Sequence, residues 1–250
     1  MDARYAVITM KPIDQQTVVV ITGAAKGLAR HLAVALALQG AIIVAHYHTS
    51  EEDAETLRAE LQVMNPRSCI VRANLRADIE VRRMFQDIIS TYKRVDVLIN
   101  AVGNFTYKPY QEVTLEDYDD VMDTNPRSTF LCSSLVIDQM KSQQGGTIIN
   151  VGCAGADRMT VRELTTPYYI AKTAVLQLTK IMARTYAPFG IRVNAISPGI
   201  LESSIAKVDN VPAGRYATFD DIFNAINFIL SPSSSYVNGA NIEVAGGWIP

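Results

Sequence analysis

The chain has 250 residues, a length that fits one large domain. Apolar residues make up 48% of the chain, which is enough for a folded core and excludes an intrinsically disordered protein. The formal net charge is −2, so the composition carries no polybasic signature of a nucleic-acid-binding protein.

The three cysteines form an odd, sparse set that suits a reducing compartment rather than a disulfide framework. No apolar run approaches the length that spans a bilayer. Residues 1–16 lack the basic start and apolar segment of a signal peptide. We therefore predict a cytoplasmic protein with no membrane partner, no nucleic-acid partner and no metal site.

Short apolar runs alternate with segments of helical periodicity along the chain. The predicted strands are Thr17–Ile21, Ile42–Ala45, Cys69–Val71, Val95–Ile99, Thr147–Val151, Ile191–Ile196 and Asn241–Ala245. β-Branched strands that alternate with helices predict a parallel sheet covered on both faces. We expect a single-domain α/β protein with a doubly wound Rossmann fold and a seven-stranded parallel sheet over residues 17–250. Residues 1–16 form an extension, either a tail or a substitute lid.

The helices between these strands carry recognisable start and bend signals. Three of them are predicted to begin where a Ser or Thr and an Asp three residues later exchange hydrogen bonds. These pairs are Ser50 with Asp53, Thr114 with Asp117, and Thr218 with Asp221. The helix after Thr114 must bend because Pro126, inside it, has no N–H group. Another helix is predicted from Thr173 to Tyr186.

A glycine-rich turn joins the first strand to the first helix. Gly23 follows the strand directly, and the helix continues from about Gly27. Glycines allow a close approach of the backbone to phosphate, and the helix N-terminus offers free N–H groups to a pyrophosphate. The turn therefore indicates a dinucleotide site, although an ordinary glycine-rich turn would have the same composition.

The end of the second strand indicates which dinucleotide is bound. An NAD site usually carries a carboxylate there for the ribose 2′-hydroxyl, but no carboxylate occurs before Glu51. Lys26 and the run His48-Thr49-Ser50 could instead surround a 2′-phosphate, so we predict NADP(H) as the cofactor. The open alternative is that His46 and His48 are merely surface residues at the end of a strand.

The segment Tyr168-Tyr169-Ile170-Ala171-Lys172 places a phenol and an ammonium group four residues apart on one helical face. A proton donor and a dinucleotide turn in one chain favour an enzyme that transfers hydride. A core or interface aromatic is the alternative interpretation of Tyr168.

Together these segments resemble the short-chain dehydrogenase/reductase family over nearly all of Thr17–Trp248. Thr22–Ala29 is similar to its TGxxxGxG turn, Asn100–Gly103 to its NNAG motif, and Tyr168–Lys172 to its YxxxK motif. Asn125 and Ser197-Pro198-Gly199 also match the family pattern. Val211–Arg215 and Val244–Trp248 are similar to its 3-oxoacyl-(acyl-carrier-protein) reductase branch.

The resemblance implies a mechanism, a set of binding residues and an assembly. Tyr168 would give its proton to the carbonyl oxygen, Lys172 would lower the phenol's pKa and hold the nicotinamide ribose, and Asn125 would anchor a relay water. A homo-oligomer, dimer or tetramer, is expected. The implied cofactor-binding residues are Gly23, Ala25, Lys26, Gly27, Leu28, His48, Thr49, Ser50, Asn74, Leu75, Asn100, Ala101, Gly103, Tyr168, Lys172, Pro198, Gly199 and Ile200.

Two departures from the family pattern bear on catalysis. Cys153 stands where the family has a serine that holds the substrate carbonyl, and a thiol is a weak donor. Cys153 is therefore a weak carbonyl contact, a packing residue or a reactive thiol. The second departure is a short lid, because Pro212 follows Ser203 within nine residues.

The leading hypothesis is an NADPH-dependent reductase of a small-molecule or carrier-bound carbonyl, including 3-oxoacyl thioesters. One alternative is a nucleotide-binding protein with weak or lost catalysis. The other is a reductase of a pteridine, sugar or other small carbonyl.

Overall fold

The computed structural model describes residues 12–205, 207 and 210–248. Most of the proposed N-terminal extension, residues 1–11, lies outside this part. The strands are β1 (Val18–Ile21), β2 (Ile42–Tyr47), β3 (Cys69–Arg72), β4 (Val97–Asn100), β5 (Gly146–Val151), β6 (Ile191–Pro198) and β7 (Asn241–Val244). The helices are α1 (Gly27–Leu38), α2 (Glu51–Met64), α3 (Asp78–Tyr92), α4 (Leu115–Met122), α5 (Ser128–Ser142), α6 (Thr166–Tyr186) and α7 (Phe219–Leu230).

The strands form one sheet in the order β3-β2-β1-β4-β5-β6-β7, and every neighbouring pair is parallel. The predicted single-domain Rossmann fold is confirmed. The chain reverses its direction of travel across the sheet at β1, which pairs with both β2 and β4. In such sheets a ligand crevice opens beyond the carboxyl ends of the strands at this reversal.

Alternate residues of each strand pack against opposite layers of helices. Val18 and Val20 belong to one buried cluster, with side chains of α3, α5 and α6. Val19 and Ile21 belong to another, with side chains of α1, α2 and α7. Because side chains alternate between the two faces of a strand, both faces must be apolar when both are covered.

Several predicted boundaries move in the structure, and β6, for example, continues to Pro198 rather than Ile196. β2 continues to Tyr47, and α6 begins at Thr166 rather than Thr173 because Pro167 lies in its first turn, where a missing N–H costs nothing. β4 begins at Val97 rather than Val95. The Val95 N–H donates to Gln143 Oε1 at 3.0 Å, and Gln143 Nε2 donates to the Val95 carbonyl at 2.9 Å.

Two of the three predicted helix caps are present. Thr114 with Asp117 and Thr218 with Asp221 exchange both hydrogen bonds of the capping box. The Ser50 prediction is wrong, because α2 begins without a side-chain cap. Asp53 instead forms an ion pair with Lys26 at 2.9 Å. Within the described part of the chain, no helix combines the length and apolarity needed to cross a membrane.

The predicted bend at Pro126 is a π-helical turn, Asp123–Arg127, between α4 and α5. The wider turn accommodates a residue that cannot donate a backbone hydrogen bond. Ser128 Oγ donates to the Thr124 carbonyl at 2.6 Å and to the Asn125 carbonyl at 3.1 Å.

Candidate active site

Helix α6 brings Tyr168 and Lys172 together near the carboxyl end of β5. The Lys172 side chain is buried, and its Nζ donates to the Val151 carbonyl at 2.7 Å. Nζ also lies 5.5 Å from the centroid of the Tyr168 ring. The predicted phenol–ammonium pair therefore exists, and the last residue of β5 fixes its cationic member.

Asn125 approaches the same place from the π-helical turn. Its side chain is fully buried, and Nδ2 donates to the carbonyls of Val121 at 2.9 Å and Asn104 at 3.1 Å. A Cβ built on Gly103 would lie 3.3 Å from Lys172 Nζ and would collide with Asn125 Oδ1. Only a glycine at this residue leaves room for both groups, so the NNAG-like segment belongs to the site.

The Asn125 Oδ1 atom is buried and has no hydrogen-bond partner within the described part of the chain. An unpaired buried acceptor of this kind is costly, about 1–3 kcal/mol, unless a water or ligand satisfies it. This orphaned atom fits the expected relay water beside Lys172.

Burial shifts the pKa values of both members of the pair. It raises the pKa of Tyr168 well above 10, and neighbouring Cys153 and Tyr169 add to the shift. It lowers the pKa of Lys172 to about 8. The sequence predicted a phenol made more acidic by the cation, but desolvation of the phenol is the larger effect. The phenol is therefore protonated and suited to donate.

Cys153 follows β5 and faces the interior. Its thiol packs against a small buried cluster that includes Tyr169, Leu176 and Ala195. The Sγ atom makes a long contact of 3.7 Å to the Ala154 carbonyl, and burial raises the pKa of the thiol. A thiol held protonated is a poor nucleophile, so this geometry favours the packing interpretation over the reactive one.

Aromatic rings line the other side of Tyr168. Phe105 meets the Tyr168 ring edge to face, with centroids 4.9 Å apart, and stacks on Tyr107 at 6.1 Å. The Lys108 N–H donates to the Leu164 carbonyl at 2.8 Å, which ties this segment to the loop before α6. Phe105 remains 38% exposed, so an apolar surface is available next to the phenol.

The glycine-rich turn between β1 and α1 forms the side of the site where the dinucleotide is expected. Gly23 and Gly27 have φ angles of +70° and +58°, a region that other residues rarely adopt. Thr22 Oγ1 accepts hydrogen bonds from the Ala101 N–H at 2.9 Å and the Val102 N–H at 3.2 Å, which joins the ends of β1 and β4. Helix α1 begins at Gly27 without a side-chain cap, and a Cβ on Gly27 would meet nothing within 4 Å. Open space in front of an uncapped helix N-terminus fits a pyrophosphate.

A cleft of about 480 Å³ extends from this turn to the ends of β2 and β3. It collects many of the predicted cofactor-binding residues, namely Gly23, Ala25, Lys26, His48, Thr49, Ser50, Asn74 and Leu75. It also contains residues that the sequence did not assign to cofactor binding, namely His46, Tyr47, Arg76, Val102, Asn104, Asp120 and Thr124. Asp120 lies on α4 and Thr124 on the π-helical turn after it, directly before Asn125, and this proximity to a predicted site residue was the available signal for Thr124.

Some predicted binding residues are placed elsewhere. Asn100 is buried, and its Nδ2 donates to Ser133 Oγ at 3.0 Å and Asn150 Oδ1 at 2.9 Å. Its side chain therefore links β4 to β5 and to α5. Leu28 packs against the core. Gly199 and Ile200 follow β6, where the Gly199 N–H donates to the Val244 carbonyl at 3.0 Å. Among the described residues between β6 and α7 there is no helix, in keeping with the short lid.

The charges around the predicted 2′-phosphate region are mixed. Lys26 is exposed at the mouth of the cleft, and its Nζ pairs with Asp53 Oδ2. Arg76 pairs with Asp120 at 3.2 Å and Asp123 at 3.3 Å. The stretch from Ala45 to Ser50 contributes no carboxylate to the cleft, as the sequence indicated.

Comparisons with known proteins agree with this geometry. Residues 23–249 match a family model described as enoyl-(acyl carrier protein) reductase. The chain is 32% identical over 241 residues to a 3-oxoacyl-(acyl-carrier-protein) reductase of Staphylococcus epidermidis, with 91% of this chain and 96% of the relative covered. It is 30% identical to an uncharacterized oxidoreductase of Thermotoga maritima, with 93% and 97% covered.

A solved structure gives the same fold. The crystal structure of a proposed short-chain alcohol dehydrogenase from Sinorhizobium meliloti 1021 superposes with a TM-score of 0.85. The match covers 97% of this chain and 98% of the other, at 24% sequence identity. At this identity the likeness establishes the fold and leaves the substrate to other arguments.

Proposed function

Because the chain belongs to the short-chain dehydrogenase/reductase family, and is therefore an oxidoreductase, we propose that it reduces a carbonyl substrate with NADPH. The observation that carries the proposal is the placement of Lys172 and Asn125 against Gly103, with the Tyr168 ring next to Lys172, near an open cleft. A proton donor and a cofactor cleft at one sheet edge supply the two parts that a carbonyl reduction needs.

The bound cofactor would supply the hydride. Tyr168 would donate its phenolic proton to the carbonyl oxygen, and its raised pKa keeps that proton in place before reaction. Lys172, held by the Val151 carbonyl, would stabilise the phenolate that forms. Asn125 Oδ1 would hold the water through which the proton on Tyr168 is replaced.

Among carbonyl substrates we propose 3-oxoacyl thioesters first, because the Staphylococcus relative acts by name on a 3-oxoacyl carrier-protein substrate. The apolar surface of Phe105 beside Tyr168 supports a substrate with a hydrocarbon portion. The inward-facing Cys153 favours the second candidate, a nucleotide-binding family member with weak or lost catalysis. A reductase of a pteridine, sugar or other small carbonyl is the third.

NADPH rather than NADH is the proposed cofactor. The cleft takes His48, Thr49 and Ser50 from the end of β2, where an NAD site would present a carboxylate. Lys26, at the mouth of the cleft, would exchange its ion pair with Asp53 for a bound phosphate. The exchange costs little, because an exposed ion pair contributes only about 0–1 kcal/mol to stability. A cytoplasmic location and a homo-oligomer complete the proposal.

The test is NADPH consumption with a short 3-oxoacyl thioester, with Tyr168→Phe as the paired variant. We expect turnover in the native protein and a loss of about a thousandfold or more in the variant, since the proton donor is removed. The dissociation constants of NADPH and NADH for both proteins, from nucleotide fluorescence, provide the control for binding.

The outcomes separate the three candidates. Undiminished turnover in Tyr168→Phe would overturn the assigned acid. Tight NADPH binding without turnover on a panel of thioesters, pteridines and sugars would favour lost catalysis. Turnover on a pteridine or sugar alone would select the third candidate, and tighter binding of NADH would overturn the assigned cofactor.

A further inference from the structure

His46 is buried in the wall of the cleft, with 2% of its surface exposed, although the sequence left it as a possible surface residue. Both ring nitrogens have backbone partners. The Gly23 N–H donates to Nδ1 at 3.1 Å, and Nε2 lies 2.9 Å from the Ala73 carbonyl. The Ala24 N–H also donates to the His46 carbonyl at 2.8 Å.

These contacts fix the protonation state of the ring. A carbonyl only accepts, so Nε2 must carry the proton that it shares with Ala73, and Nδ1 must be bare to accept from Gly23. Burial lowers the pKa of His46 to about 4, so the ring is neutral near pH 7. The neutral Nε2–H form is the only one that satisfies both partners.

The two partners of His46 follow the two strands that flank β2, since Gly23 comes after β1 and Ala73 after β3. Gly23 begins the phosphate turn with a positive φ angle, and Ala73 directly precedes the Asn74-Leu75 segment. The His46 ring therefore joins the segments that follow β1 and β3. A turn held in a single conformation before the ligand arrives loses less entropy on binding.

We propose that His46 is a positioning residue for the dinucleotide, in which Nδ1 holds the Gly23 turn in the conformation that receives the phosphates. The inference rests on the proposed function, because it takes the cleft to be the cofactor site. His46 touches neither of the proposed catalytic groups, so its effect should be on cofactor binding and not on the chemical step.

Two variants separate the contacts of the ring. The shorter side chain of His46→Asn keeps an acceptor near the position of Nδ1 but is too short to donate to the Ala73 carbonyl. His46→Gln keeps a donor near the place of Nε2 and loses the acceptor for Gly23. Each variant leaves one buried backbone group unpaired, so each should lower the melting temperature by a similar amount. They are therefore matched controls for each other.

We expect His46→Gln to weaken NADPH binding about fivefold to tenfold, the size expected from one lost neutral hydrogen bond. His46→Asn should stay within about twofold of the native dissociation constant, and kcat at saturating NADPH should change by less than about twofold in both, because the chemical groups are untouched. In the ligand-free protein, the Gly23 amide should exchange its hydrogen faster in His46→Gln than in His46→Asn.

Equal losses of NADPH affinity in both variants, with equal Gly23 exchange, would overturn the inference and leave His46 a purely structural residue. A native ring found as the Nδ1–H form from its ¹⁵N chemical shifts would also overturn it. If the native protein bound neither NADPH nor NADH, the proposed function itself would fail, and the exchange rates of Gly23 would still report whether His46 holds the turn.

Discussion

The side chain at residue 153 tests whether catalysis needs a donor at this place. The Cys153 thiol packs inward and contacts the Ala154 carbonyl, so it offers little to a substrate. We expect Cys153→Ala to change kcat by less than about threefold, because a weak donor is all that is lost. Cys153→Ser should also change kcat by less than about threefold, because the side chain at this residue packs into the buried cluster and its hydroxyl would not reach a substrate carbonyl.

Steady-state kinetics of the two Cys153 variants with the same thioester would measure both effects. A loss of about a hundredfold in Cys153→Ala would contradict the packing interpretation and give the thiol a direct part in the reaction.

The protonation state of Lys172 should make the activity depend on pH. Its pKa is lowered to about 8 by burial, whereas the pKa of Tyr168 is raised, so the lysine is the group that titrates first as pH rises. We expect kcat/KM for NADPH, which reports the free enzyme, to be constant below about pH 8. It should fall about tenfold per pH unit above that value as the ammonium group is lost.

A pH–rate profile of the native protein and of Lys172→Arg checks this. An arginine stays charged to about pH 12, so any activity that the variant retains should not fall near pH 8. A native profile that stays flat to pH 10 would show that Lys172 is not the titrating group.

The same local sequence signal at the start of a helix leads to different structures in different helices, because the side chains meet different neighbours. Thr114 and Thr218 cap their helices, but Ser50 does not, since Asp53 is drawn to Lys26 across the cleft mouth. The sequence pattern is the same in all three cases. Two differences distinguish Ser50, namely Lys26 on a neighbouring element and a ψ angle of 66° in place of the 166° and 168° of the two threonines, and a local pattern carries no information about either.

This difference predicts unequal costs of removing the three side chains. Thr114→Ala and Thr218→Ala should each lower the free energy of unfolding by about 1 kcal/mol, and Ser50→Ala by only a few tenths. For a chain of this length, 1 kcal/mol corresponds to a fall in melting temperature of about 2–4 °C. Thermal unfolding of the three variants measures the difference, and an equal fall in all three would contradict the assigned caps.

Helix α6 shows why motifs are predicted better than boundaries. The spacing of Tyr168 and Lys172 was sufficient to put both on one helical face, whereas the start of the helix was placed seven residues late. Pro167 favours a first helical turn as readily as it favours a loop, so the start is settled by packing around Tyr169 and Ala171.

For the whole molecule, the order of strands and helices was predictable because burial on both faces makes each strand continuously apolar. The contacts of His46 were not predictable, since the sequence cannot show that Gly23 and Ala73, far apart along the chain, flank its ring.

Near the C-terminus, the Trp248 ring packs within the chain, with the Arg162 guanidinium carbon 5.4 Å from the ring centroid. Ile249 and Pro250 lie outside the described residues.

The assembly of the whole molecule stays a prediction. Helices α4 and α5 expose Leu115, Tyr118 and Phe130, large apolar side chains of a kind that subunit contacts bury. We expect light scattering to give two or four times the chain mass of 27.4 kDa. Phe130→Lys should reduce that mass, and a native mass of one chain at micromolar concentration would contradict the prediction.

The pairing of β1 with β4 also has a consequence for how the protein folds. The Thr22 hydroxyl and the Ile99 carbonyl that close this seam are separated by 77 residues of chain. As the polypeptide leaves the ribosome, β1 must wait for about a third of the chain before its second neighbour exists, and such long-range contacts slow folding. The cleft takes lining residues from both sides of this pairing, Gly23 after β1 and Val102 after β4, so it is incomplete in any folding intermediate that lacks β4.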